Sequence, residues 1–147
     1  MLNRMNKIKT SYSCLSILSL LLGMCIYLFF RDLNNMLLFK FIPQPVFTKD
    51  IIIQLKPSFF SYILKYNFPY MLWFLSGILL MRFIWFYNEK FQKFYIFVFY
   101  GVFFIYVMCK YFNHFPGTFD WLDLLFMGIG AFVEGLLYYK LFKRRFV

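Results

Sequence analysis

The chain has 147 residues, of which 63% are apolar, 27% aromatic and only 15% charged, with a net charge of +10. Soluble domains hold about 45–50% apolar and about 25% charged residues, and a chain of this length cannot hide the surplus inside, since small folds leave much of their surface in solvent. Composition thus excludes an ordinary water-soluble domain and predicts one integral membrane domain over residues 1–147.

Four apolar runs follow in chain order. The first is Tyr12 to Phe30, 19 residues without a charge, preceded by Arg4, Lys7 and Lys9 and followed by Arg31. It is too long for a signal-peptide core, and no A-x-A site follows it, so a retained helix is expected. The segment 32–68 comes next. It is broken by charges and by Pro43, Pro45 and Pro57, and no uninterrupted part reaches spanning length. Short interfacial helices are expected there, either packed over the bundle as a lid or forming a loose loop.

The second run is 69–87, opening on Pro69, a residue suited to a first helical turn because its missing N–H is not needed there. Its Arg82 is expected to reach the headgroups or a partner. The third run is 94–112, with Lys110 expected to snorkel, and the fourth is 121–139. Each run has 19 residues, about 28 Å of helix and one hydrocarbon thickness. The predicted fold is an all-α membrane protein: an antiparallel four-transmembrane-helix bundle with short interfacial helices between helices 1 and 2.

Lys and Arg set the orientation. With the N-terminus in the cytoplasm, ten basic residues fall inside (Arg4, Lys7, Lys9, Arg82, Lys90, Lys93, Lys140, Lys143, Arg144, Arg145). Six fall outside (Arg31, Lys40, Lys49, Lys56, Lys65, Lys110). The excess predicts both termini in the cytoplasm. Because the basic residues flank apolar runs, membrane lipids are the expected partner and nucleic acid is not.

The fourth run carries acids. Thr118 is placed to cap its helix, with Asp120 and Asp123 in or beside the first turn, where the helix dipole favours negative charge. Glu134 lies 14 residues beyond Asp120, about 21 Å deeper, and needs a partner; Arg82 is at the matching depth. Asp123, Met127, Gly130 and Glu134 advance by four, three and four residues and so share one helix face. Gly128, Gly130, Ala131 and Gly135 thin the same helix, and Ala131-x-x-x-Gly135 has the spacing that lets helices approach closely. This face is expected to pack against the second helix.

At the outer end an antiparallel bundle brings Arg31, Asn67, Trp73, His114, Asp120 and Asp123 to one level, fit to bind a headgroup or to pair among themselves. No catalytic set is complete. His114 and Asp120 lack a nucleophile, no phosphate loop is present, and one histidine with three scattered cysteines makes no metal site. Neither a metal nor a cofactor is expected.

Three stretches, "CIYLFFRDLNNMLLFKFI", "YNFPYMLWFLSGILL" and "PGTFDWLDLLFMGIGA", together resemble small VanZ-like integral membrane proteins of bacteria. The resemblance runs through Arg31, Asn67, Pro69, Trp73, Asp120, Asp123 and Gly130. The chain departs from the family pattern at Tyr70, where an acid is often found, and near Gly130, where an Asn is common. The resemblance implies a multi-helix bundle in the bacterial cytoplasmic membrane, and a link to resistance to the glycopeptide teicoplanin. The function expected is non-enzymatic binding of an envelope or lipid-linked ligand, or of a membrane partner protein, at the outer-leaflet face through Arg31, Asn67, Trp73, Asp120 and Asp123. Two alternatives stand beside it: an enzyme acting on a lipid headgroup with a divalent cation, and an accessory subunit docking through the thin face of the fourth helix.

Overall fold

The computed structural model describes residues 2–30, 58–112 and 120–143. Arg31, the 32–57 part of the expected interfacial segment, His114, Thr118, Arg144 and Arg145 lie outside the described residues. All regular structure among the described residues is helical: α1 Leu2–Phe30, α2 Phe59–Ile84, α3 Glu89–Tyr111 and α4 Trp121–Lys143. Each contains a stretch long and apolar enough to cross a membrane. The exposed residues are those lipid would solvate, among them Ile17, Leu18, Phe97, Phe104, Ile105 and Phe132. A surface of this kind in water would aggregate, and the chain is a multi-pass membrane protein.

Three helices begin earlier than apolarity alone predicts, because caps and polar flanks extend them. The first turns of α1 take in the basic stretch before Tyr12, with Thr10 and Ser11 bonded back to the carbonyls of Asn6 and Lys7 at 2.9 Å. Asn88 caps α3, its side chain accepting from the Phe91 N–H at 3.1 Å, so that helix opens at Glu89 rather than at Phe94. α2 changes most. It starts at Phe59, where Ser58 and Ser61 form a reciprocal capping box, and it runs through a π turn at Ile63–Asn67 into Pro69. Residues 59–68, expected as part of an interfacial segment, thus belong to the second long helix.

Pro69 explains the π turn. In α register its missing N–H would leave the Lys65 carbonyl without a donor, and its ring would clash with that carbonyl. Widening the helix relieves both, and the Phe68 N–H bonds five residues back to the Ile63 carbonyl.

α2 is the element against which the other three pack, most extensively α1. On α1 the buried residues Tyr12, Ser16, Ser19 and Gly23 form one stripe, with spacings of four, three and four. It meets α2 in opposite chain order, Ser16 against Ser76 and Tyr27 against Trp73, while Tyr12 packs on Phe86 in the turn just beyond α2. Ser16 and Ser76 each donate to the other's carbonyl at 2.9 Å. Small residues and side-chain hydrogen bonds of this kind drive helix association where lipid removes the hydrophobic contribution. On the other side of α2, Phe74 and Ile78 pack with Ile96 and Val107 of α3 and Met127 of α4.

Candidate functional site

Buried charged groups collect toward the two ends of α2. At the end nearer Ile84, Arg82 Nε donates to Glu134 Oε1 at 2.7 Å, and Nη1 donates to Gln92 Oε1 at 2.8 Å. Gln92 Nε2 returns a bond to the Arg82 carbonyl at 3.1 Å, and the Tyr138 ring lies 3.8 Å beneath the guanidinium. All three polar residues are buried. A charge in this position must be paired, and the network ties α2, α3 and α4 together. Arg82 and Glu134, matched by depth in the sequence, do meet. Gln92 was missed because it precedes the third apolar run, outside the stretch that hydropathy marks.

At the opposite end, Asn67 closes the π turn and is wholly buried. Its Nδ2 donates to Asp123 Oδ1 at 3.1 Å and lies 3.5 Å from Asp120 Oδ2. Tyr62 Oη donates to the same Asp120 oxygen at 2.8 Å, while Asp120 Oδ1 accepts from the Leu122 N–H at 3.0 Å. The Asp120 side chain thus bonds the opening turn of α4; Thr118, expected to cap it, lies outside the described residues. The Asp120 pKa balances two effects. Burial pushes it up; the bonds from Leu122, Tyr62 and Asn67 outweigh burial and hold it below the ordinary aspartate value.

Lys110 completes this end. It was expected to snorkel to the headgroups, yet it is buried, donates to Tyr70 Oη at 2.9 Å and approaches Asp123 Oδ2 to 3.9 Å. Its ammonium lies 4.6 Å from the Tyr70 ring centre and 4.9 Å from that of Tyr106. An inward carboxylate and two aromatic faces hold it there against the pull of solvent. Tyr62 and Lys110 had no signal as site residues: one lay in a segment read as interfacial, the other at a helix end where lysines ordinarily reach water.

Asn67, Asp120 and Asp123 are brought together. Trp73 is not part of that set; its contacts run to α1, with the indole against Gly23 and the ring centre 5.0 Å from that of Tyr27. Asp123, Met127, Gly130 and Glu134 are the buried residues of α4 for which burial is described, so the face that spacing picks out does turn inward. Gly130 lies against Met71 and Phe74 of α2, and Ala131 packs beside it. Gly128 and Gly135 do not join that seam: both are exposed, with nothing near where a Cβ would stand. The inward face is thin only at Gly130 and Ala131.

Among the described residues, no three His, Cys, Asp or Glu side chains converge as a metal site. The fold and its clusters define a class: a multi-pass membrane protein with four membrane-length helices among the described residues and a buried charged network toward each end of α2. No family model, curated protein or solved structure matches the chain.

Proposed function

We propose that the chain is a non-enzymatic, VanZ-like protein of the bacterial cytoplasmic membrane. In this reading it is an antiparallel four-helix bundle with both termini in the cytoplasm, and its outer-leaflet face binds a lipid-linked or cell-envelope ligand. One observation carries the reading. Two helices place an amide and two carboxylates, Asn67, Asp120 and Asp123, within hydrogen-bond reach at one end of the bundle, and the Asn67 Oδ1 there is buried without a donor. An unmet acceptor costs free energy wherever water is scarce, so a donor from a ligand would be favoured there. Asp120 and Asp123 take cationic, amide or hydroxyl groups of the ligand, and Arg31 takes its anionic groups.

Complementation of a deletion strain tests this. Arg31→Ala, Asp120→Asn and Asp123→Asn should lose protection against teicoplanin or another envelope stress while their membrane levels stay normal. Full complementation by all three variants would exclude a ligand face here.

A further inference from the structure

Among the described residues, the Arg82 end of the bundle holds more cations than acids. All four long helices reach it. Lys9 of α1 lies over Phe83 of α2 and over Tyr87 in the turn before α3. Arg82 bonds Gln92 of α3 and Glu134 of α4. Leu137, one turn before Lys140, packs against the cluster of Tyr12 and Phe86. Glu89 and Glu134, the described acids at this end, are both taken: Glu134 by Arg82 at 2.7 Å and Glu89 by Lys93 at 2.8 Å. Lys7, Lys9, Lys90 and Lys140 have no carboxylate partner among the described residues.

Lys9 differs from the other three. They are exposed, whereas Lys9 is half-buried, its ammonium 5.2 Å from the Phe83 ring centre and 4.9 Å from that of Tyr87. Tyr87 is itself tied to α1, its Oη donating to Asn6 Oδ1 at 3.0 Å. An ammonium so placed keeps its charge but has already lost part of its water and of its freedom. An anion that meets it therefore immobilises less than one that meets a free lysine. The surroundings set the kind of anion. Trp85 stacks on Tyr95 with ring centres 4.8 Å apart, and Tyr87, Phe91 and Phe94 are exposed nearby in the chain. Such aromatics mark a membrane–water boundary, where the abundant anion is the phosphate of a lipid headgroup, an acceptor of several N–H bonds. We infer that the Arg82 end binds an anionic phospholipid, its phosphate held at Lys9 and its charge matched by Lys7, Lys90 and Lys140. Such a lipid binds whichever leaflet this end faces and whatever the Asn67 end holds.

The test places the full chain in nanodiscs of equal parts phosphatidylglycerol and phosphatidylcholine with matched acyl chains, and native mass spectrometry counts the lipids retained. Each lysine near anionic lipid contributes about fivefold. Even two of the four should then give about a 25-fold preference for phosphatidylglycerol. Phosphatidylserine in its place should be retained as well, because charge rather than the glycerol hydroxyls is recognised. Lys9→Gln should lower the preference by about fivefold or more, Lys7→Gln by less, and Lys9→Arg should keep most of it. Lys65→Gln, near the opposite end of α2, should leave it unchanged.

Equal retention of phosphatidylglycerol and phosphatidylcholine overturns the inference, on wild-type protein alone and so independently of any variant's folding. A preference for phosphatidylglycerol that phosphatidylserine does not share overturns recognition by charge. Equal losses in Lys7→Gln and Lys9→Gln overturn the placement of the phosphate at Lys9. A loss in Lys65→Gln as large as in Lys9→Gln overturns the assignment to the Arg82 end.

Discussion

Gly23 shows how little space the α1–α2 seam leaves. A Cβ built there would stand 2.5 Å from Trp73 Nε1 and 2.6 Å from Trp73 Cδ1. These atoms belong to a rigid ring that also packs on Tyr27, so the ring cannot swing away cheaply. Gly23→Leu should cost about 1–3 kcal/mol by overpacking, read as a lower Tm in detergent. Gly128→Ala and Gly135→Ala, where nothing stands within 4 Å, should be neutral or gain up to about 1 kcal/mol from helix propensity. Equal losses at all three glycines would contradict this packing. The Arg82–Glu134 pair behaves differently, because both partners are charged and buried. Removing either one, as Arg82→Ala or Glu134→Ala, strands the other and should cost about 3–5 kcal/mol. The double variant Arg82→Met/Glu134→Leu should recover much of that loss; a double variant as unstable as the worse single one would mean that the pair contributes more than mutual compensation.

At the scale of elements, the four apolar rods and the inward face of α4 were legible, since both follow from spacing and hydropathy. The register of α2 was not. Hydropathy sees Pro69 as a helix start, whereas here it stands inside a longer helix at the cost of a π turn. The polar cap at Ser58 that begins the helix lies just after Lys56-Pro57, a dipeptide that reads as a break. The buried stripe of α1 was equally silent, because an all-apolar run hides which face is thin. The π turn has a geometric consequence. It inserts one residue, so restoring α register would rotate the chain before Pro69 by about 100° relative to the rest of α2. Pro69→Ala removes the reason for the turn and should carry Tyr62 away from Asp120. In a background with Cys14, Cys25 and Cys109 replaced by Ala, Tyr62→Cys and Asp120→Cys should be joined by a short bifunctional maleimide, whose spacer replaces the length of the tyrosine side chain that reaches Asp120, when Pro69 is present and not in Pro69→Ala. Unchanged crosslinking would show that neighbouring contacts, rather than the proline, hold the π turn.

At the scale of the whole molecule, the two ends differ in how their charges are used. Around Arg82 the exposed cations Lys90, Lys93 and Lys140 face outward, and Lys9 lies over the Phe83 and Tyr87 rings. At the Asp120 end, Lys110 is drawn inward by Asp123 and two tyrosines. A lysine buried against a carboxylate offers less charge to anionic lipid than one in water, so the end that the positive-inside rule would place outside is less basic in effect than a count of residues implies. This sharpens the expected orientation, with the Arg82 end in the cytoplasm. In the same cysteine-free background, Ser58→Cys should react with a membrane-impermeant maleimide on intact cells, and Lys90→Cys should react only after the cells are opened. Both positions are exposed and flank helix ends, and labelling of both in opened cells separates the side of the membrane from lipid cover. The reverse pattern would turn Asn67, Asp120 and Asp123 toward the cytoplasm. An envelope ligand would then be out of reach of these residues; the orientation therefore decides which pool of ligand this end of the bundle can sample.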